Sequence, residues 1–225
     1  MERTIAISDI HGCNKTFRKL LFEILEVSKK DRIILLGDYI DRGPGSKEVL
    51  DLISGLSGDG FDITALKGNH EQMMLDAIDD PVFESLWILN GGDTTLRSLG
   101  VMSASDIPLH YQEFLTSMPY FASEGQYLFV HASFNDSRED PLIFDESMIW
   151  ECREVHEGSF FKGKTVIHGH RPKTKEQTLA MINEKRGTIA IDNGCVYSHN
   201  PSLGFLSALE VNTMKLYSVK NIDKI

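Results

Sequence analysis

Gly37-Asp38-Tyr39-Ile40-Asp41-Arg42-Gly43 follows Arg32-Ile33-Ile34-Leu35-Leu36, and so short an apolar run reads as a strand buried on both faces. Ligand sites in open α/β sheets lie outside the carboxyl ends of the strands, so this loop is placed to aim Asp38, Asp41 and Arg42 into one crevice. Glycines at both ends of the loop permit a tight turn. The two oxygens of Asp38 suit it to bridge two divalent cations, and the planar fork of Arg42 matches the oxygens of a phosphate.

Upstream, residues 3–8 read as a first strand that ends in Asp9-Ile10-His11-Gly12. Asn14 is then expected to cap a helix whose core face is Phe17, Leu20, Leu21, Ile24 and Leu25. Strand, loop, helix and strand in that order form a βαβ unit, which makes the two strands parallel neighbours and lets Asp9, His11 and Asp38 meet. Downstream, a helix over 46–56 and a strand over 62–66 lead to Lys67-Gly68-Asn69-His70-Glu71. Asp9, Asp38 and Asn69 are 29 and 31 residues apart, each just past a strand.

Met73 and Met74 read as core filling on the next helix, and a further helix is expected over 82–89, before Asn90-Gly91-Gly92. That tripeptide is either a helix stop or part of the cleft wall. Residues 94–118 read as helical with a break at 100–108 and show no chemistry. A hairpin over 119–123 and 126–130 ends at His131, a polar loop covers 135–145, and a strand over 164–167 ends in His168-Gly169-His170. A strand over 188–191 precedes Asp192-Asn193-Gly194-Cys195, and a hairpin over 203–211 and 215–219 closes the pattern.

The 225 residues are 41% hydrophobic and 25% charged, which fits one domain over 1–225. A net charge of −10 argues against nucleic-acid and membrane partners, which require clustered cations. It also repels anionic substrates, so cations are expected wherever this chain handles one. Three widely separated cysteines, Cys13, Cys152 and Cys195, fit a reducing compartment, and without a leader or a long apolar stretch the expected location is cytoplasmic. Oligomeric state is left open.

The strand-end residues Asp9, His11, Asp38, Asn69, His131 and His170 combine oxygen and imidazole donors without thiolate. Such a set suits two divalent metal ions, manganese first and iron or zinc as alternatives, rather than calcium. Two cations about 3.5–4 Å apart would clamp a phosphoryl group and acidify a shared water. His70, beside Asn69, is the candidate general acid for the leaving alkoxide, with Asp41 to orient it and Arg42 to hold phosphate oxygens. A lone histidine at a strand end usually has a structural role, but five strands ending in ligand-type residues reverse that expectation. His168 is expected to pack rather than ligate, Cys13 and Cys195 to be buried structural thiols, and His110, His156 and His199 to lie on the surface without partners.

Asp9-Ile10-His11-Gly12, Gly37 to Gly43 and Gly68-Asn69-His70-Glu71 resemble, in order and spacing, the three signature blocks of the PPP family of metallophosphatases, within the calcineurin-like phosphoesterases. Glu71-Gln72-Met73-Met74 and Trp87 to Gly92 also match its bacterial and phage branch, and the likeness runs from about Thr4 to Cys195. The resemblance implies an α/β fold, a four-layer α/β/β/α sandwich of two mixed β-sheets flanked by helices. It implies one metal on Asp9, His11 and Asp38, and a second on Asp38, Asn69, His131 and His170. It also implies a phosphate held by Arg42, Asn69 and His70. The branch usually carries a second phosphate-binding arginine two residues after a tryptophan, whereas here Trp150 is followed by Glu151, Cys152 and then Arg153; Arg171, after His170, is the other candidate.

By this resemblance the chain is expected to be a phosphoprotein phosphatase acting on phosphoserine and phosphothreonine, with activity on phosphotyrosine and small aryl phosphates. The alternative is a symmetrical diadenosine tetraphosphate hydrolase, for which little chain follows His170 to build a nucleoside site. A metal-binding module without turnover is the third reading, and it predicts a damaged catalytic set, which His70, Asp41 and Arg42 are not.

Overall fold

β1 (Thr4–Ile7) and β2 (Arg32–Leu35) lie parallel, with Thr4 opposite Arg32 and Ile7 opposite Leu35. β3 (Asp62–Ala65) adds in parallel beyond β2. The structure, a computed structural model, describes residues 2–151 and 153–224. Cys152 lies outside them; Cys13 and Cys195 are buried free thiols, as expected. Between these strands run α1 (Asn14–Lys19) and α2 (Ser46–Gly58), followed by α3 (Asn69–Asp79), α4 (Glu84–Trp87), α5 (Asp93–Leu99) and α6 (Leu109–Thr116).

The hairpin β4 (Phe121–Glu124) and β5 (Tyr127–Val130) begins a second sheet, continued after α7 (Ser147–Trp150) by β6 (Thr165–His168), then by α8 (Lys175–Asn183) and β7 (Thr188–Ala190). The closing hairpin, β8 (Phe205–Glu210) and β9 (Lys215–Lys220), returns to the first sheet, where β8 runs antiparallel to β1. The two mixed sheets have strand orders β3-β2-β1-β8-β9 and β4-β5-β6-β7.

Alternation along the strands sets the layers, because neighbouring side chains face opposite ways. Ile5, Ile7, Ile33 and Leu35 face a core shared with Phe17, Leu20, Val49 and Met74 on the helical side. Ala6, Ile34 and Leu36 point the other way and meet Phe129, Ile167 and Ile189 between the sheets. Leu128, Val130 and Val166 pack outward on Phe134, Met148 and Phe161. Helices, sheet, sheet and outer cover make the α/β sandwich whose strand ends carry the site.

Two local expectations are corrected. Asn14 is the first helical residue and Cys13 the N-cap, with no side-chain cap bond. The orphan N–H groups of Lys15 and Thr16 go to the carboxylate of Asp223, both at 3.0 Å, so a distant residue does the work assigned to Asn14. A π-helical turn over Leu20–Ile24 then widens the spiral; Leu20, Leu21 and Leu25 stay buried, but Ile24 turns out to solvent. No helix among the described residues is long and apolar enough to cross a membrane.

Candidate active site

The loops after β1 and β2 are locked to one another by backbone bonds. The N–H groups of Ile10 and His11 both donate to Asp38 O, and Gly12 N–H donates to Tyr39 O. His11, Asp38, Asp41, Arg42 and His170 all adopt positive φ, between 47° and 70°. Non-glycine residues held this way cost about 1–3 kcal/mol each and persist only where their surroundings over-determine them. Here the carboxylate of the buried Glu71 does much of that, accepting from the N–H groups of Asp38 and Tyr39, both at 2.8 Å, and of Gly68 at 3.0 Å. A Cβ on Gly68 would lie 2.3 Å from Asp38 Oδ1, so the close approach requires glycine.

Asp38 stands between two groups of donors, His11 with His70 and His131 with His170. Its Oδ2 lies 3.5 Å from His11 Nε2 and 4.0 Å from His70 Nε2, while Oδ1 lies 3.5 Å from His131 Nε2. Burial alone would raise its pKa, but His131, His70, His11 and His170 together hold it far below the usual carboxylate range. Burial keeps the ligand-type imidazoles neutral: His11 is pushed well down, His131 down, and His170 to about 4.

The donor set fits a cation. His131 Nδ1 faces Leu36 O at 2.9 Å and His170 Nε2 faces Trp150 O at 3.1 Å, so each ring carries its proton on that side. Their other nitrogens and Asn69 Oδ1 then meet as three lone pairs 3.0–3.1 Å apart, with no proton among them. A carbonyl holding the far N–H of each histidine is the usual support of a metal ligand. Asp9 lies outside these triads; both its oxygens accept from His170 N–H, at 2.9 and 3.2 Å. Burial, then Asp192, then Asp38 push its pKa well up.

His70 and Asp41 form a buried pair, with Nδ1–H donating to Asp41 Oδ2 at 2.7 Å. Trp87 Nε1–H donates to the same oxygen at 2.9 Å, and Thr95 Oγ1–H to Oδ1 at 2.6 Å. Burial pulls the His70 pKa down, but Asp38 and Asp41 outweigh it and leave it raised; burial also raises Asp41. Arg42 Nη1–H donates to His11 Nε2 at 2.9 Å, and the guanidinium lies 5.9 Å from the centroid of the Tyr197 ring. Arg42 N–H donates to Gly91 O, and a Cβ on Gly91 would meet Arg42 Cγ at 2.8 Å. Asn90-Gly91-Gly92 therefore braces the cleft.

The structure thus gathers His11, Asp38, Asp41, Arg42, Asn69, His70, His131 and His170, with Asp9 alongside. Arg153 is not gathered: its guanidinium is engaged by Asp136 and Glu151. Arg171 is exposed on the turn after His170. His168 is buried outside the triads, with Nδ1 against Gly169 O.

His156 was expected on the surface without partners and is instead half-buried. Its Nδ1–H faces Thr188 Oγ1 at 3.0 Å, and its Nε2 accepts from Ser133 Oγ at 3.0 Å and from Phe134 N–H at 3.3 Å. The 94–118 stretch, read as free of chemistry, supplies Thr95 to Asp41. Glu71, Trp87 and Asp192 likewise carry no role in the sequence. Glu71 and Trp87 stood inside recognised blocks, which was a usable signal, whereas Thr95 lies 54 residues from its partner and gave none.

The family model for calcineurin-like phosphoesterases matches residues 2–203. Serine/threonine-protein phosphatase 2 of Escherichia coli is 28% identical over 91% of each chain. The symmetrical bis(5'-nucleosyl)-tetraphosphatase of Nitrosomonas europaea is 33% identical over 78% of this chain and 56% of its own length. Two further curated relatives are spanned over 39% and 43% of their length. Among solved structures, a serine/threonine phosphatase from Saccharomyces cerevisiae superposes with a TM-score of 0.67 at 12% identity, covering 100% of this chain and 81% of its own, a likeness of fold.

Proposed function

The chain belongs to the calcineurin-like phosphoesterase family, and from that premise we propose that it is a metal-dependent phosphoprotein phosphatase that hydrolyses phosphoserine and phosphothreonine esters. The observation that carries the chemistry is the pair of donor triads sharing Asp38, one of which includes His70, with Asp41 behind His70 and the Arg42 guanidinium beside His11. Asp9, His11 and Asp38 would hold one divalent cation, and Asp38, Asn69, His131 and His170 the other, with manganese the first choice and iron or zinc the others. Bound there, the ions supply charge neutralisation at a phosphoryl group and a water acidic enough to attack phosphorus near neutral pH.

The chain's own groups do the rest. Arg42, with Asn69 and His70, orients the non-bridging oxygens. His70, its Nδ1 fixed by Asp41, delivers a proton from Nε2 to the leaving alkoxide. Asp41 keeps the ring oriented and favours its charged form. Arg153, held in its ion pairs, would reach a substrate only by releasing Asp136 and Glu151, so Arg42 is the phosphate-binding arginine of this reading.

A protein substrate is favoured by the E. coli protein phosphatase, of which 91% is matched, over the tetraphosphatase, of which 56% is matched. The 33% identity to the latter makes diadenosine tetraphosphate the second reading. Turnover of metal-reconstituted protein on a phosphoserine peptide and on diadenosine tetraphosphate, with chelator and His70→Asn controls, separates the two. A larger kcat/KM on the peptide, lost with chelator, is the expected result; the reverse ratio would replace the reading, and turnover of neither would end it.

A further inference from the structure

A cavity of about 320 Å³ lies beside the catalytic cluster, lined by Arg42, Pro44, Thr94, Arg97, Ser98 and Lys224. Three cations around one hollow are notable in a chain of net charge −10. Arg42 belongs to both places: its Nη1 reaches His11 in the cluster, and the residue also lines the cavity.

The remaining walls are held in place by structure already described. Thr94, Arg97 and Ser98 fall at i, i+3 and i+4 of α5 and so share one face. The adjacent Thr95 turns inward onto Asp41, which ties the helix that lines the cavity to the catalytic pair. Lys47 N–H donates to Ser98 Oγ at 2.9 Å, pinning α5 against α2, and Thr94 Oγ1–H donates to Gly91 O at 2.8 Å. Lys224 follows Asp223, whose carboxylate is held by Lys15 and Thr16 at the start of α1.

Two acidic groups touch this wall: Asp93 pairs with Arg97 at 2.8 Å, and Glu48 accepts from Ser98 Oγ at 3.3 Å. The Arg97–Asp93 pair is exposed and four residues apart on a helix, a kind worth about 0–1 kcal/mol, so a phosphate offering bidentate contact competes for Arg97. The volume is at the low end of the roughly 300–1,000 Å³ that accommodates whole small ligands. It suits one anionic group of a larger substrate better than a nucleoside.

We infer that this cavity is an anion subsite for a second phosphoryl group of the substrate, so that the enzyme prefers peptides in which the phosphoserine or phosphothreonine has a phosphorylated neighbour. The inference deepens the phosphatase reading and rests on it for the identity of the group cleaved. Arg97 and Lys224 act in it as specificity residues; neither touches the triads or the His70–Asp41 pair.

The test compares wild type with Arg97→Ala, Lys224→Ala and the double variant on p-nitrophenyl phosphate, on singly and doubly phosphorylated forms of one peptide, and on diadenosine tetraphosphate. Wild type is expected to show a kcat/KM about tenfold higher on the doubly phosphorylated peptide than on the single one, the scale of one added charge-assisted contact. The double variant should bring that ratio to about one and leave p-nitrophenyl phosphate turnover within about twofold of wild type. Calorimetric binding of the doubly phosphorylated peptide to His70→Asn protein, with and without the two substitutions, reads the subsite independently of turnover. Affinity unchanged by the substitutions overturns the subsite whether or not the protein turns over; lost turnover on every substrate with the affinity difference intact overturns the phosphatase reading instead. A loss confined to diadenosine tetraphosphate overturns the peptide occupant.

Discussion

The first sheet presents its share of the cluster on three short loops that brace one another; the second sheet presents two histidines that lean on the first. Glu71 gathers the N–H groups of the β2 and β3 loops, and His11 Nδ1 faces Ile40 O at 3.0 Å. By contrast, His131 is oriented by Leu36 O and the His170 backbone by Asp9, both across the sheet boundary. Gly169 makes that crossing tight, since a Cβ there would stand 2.0 Å from Asp9 Oδ1. The cluster is thus built where loops are short, buried and backbone-bonded. The longer polar chain between His131 and β6 reaches the cluster through Trp150 O, which faces His170 Nε2, and elsewhere carries networks such as Asp136 with Arg153 and Ser133 with His156.

The sharpest attempt to break this contrast is Asp41→Asn. Asp41 accepts from His70, Trp87 and Thr95 at once, so an amide would turn an N–H toward a donor in a fully buried site, at a cost of about 1–3 kcal/mol. With the imidazole no longer held or charged, kcat should fall by about 10²–10⁴, the range of a general acid. Metal content by elemental analysis should stay at the wild-type level, because neither Asp41 nor His70 is among the proposed ligands Asp9, His11, Asp38, Asn69, His131 and His170. Wild-type kcat in the variant would remove His70 from the proposed chemistry.

A smaller effect is expected from Gly91→Ala. Gly91 has φ 104°, and an added Cβ would meet both Arg42 Cγ and Arg42 N at 2.8 Å. Thermal melts should show a loss of about 1–3 kcal/mol from the strained backbone. KM for p-nitrophenyl phosphate should rise more than kcat falls, since the displaced group binds rather than reacts. If kcat alone falls, the brace acts on the chemistry and Arg42 has been given too narrow a role.

The same contrast governs what could be read in advance. The βαβ order, the parallel pairing of β1 with β2 and β3, and the strand-end positions of Asp38, Asn69 and His70 follow from apolar runs and spacing, because short loops keep sequence neighbours close in space. The left-handed backbone was harder to see: glycines were expected to carry the turns, yet Asp38, Asp41 and Arg42 themselves adopt positive φ. Contacts between distant segments left no periodic trace. Thr95 with Asp41 and Asp223 with α1 are pairings that only tertiary packing brings about. Asn14 shows the reverse error, a good local capping residue displaced because a tertiary carboxylate reaches the same N–H groups.

The mildest test bears on the second sheet's outer network. His156 is held near a pKa of about 4, chiefly by burial, against the opposing pull of Asp136 and with a smaller push in the same direction from Arg153. Its free-chain value is near 6.5, so between those limits the unfolded chain binds more protons than the folded one. The stability tied to neutral His156 is therefore complete above about pH 6.5 and is lost as the pH falls toward 4. Protonation would cost Nε2 its ability to accept from Phe134 N–H and Ser133 Oγ, next to the rings of Phe134 and Phe161. In His156→Gln, which cannot take up a proton, the fall in Tm from pH 8 to pH 5 should be smaller than in wild type by about 2 °C, the scale of a partly exposed group in a chain of this size. At pH 8, kcat should differ from wild type by less than about twofold, because His156 supports the chain beyond His131 and not the ligands themselves. Equal Tm slopes would show that the network is not pH-linked. A kcat that drops with the substitution at pH 8 would show that the second sheet's outer face holds reactive geometry after all.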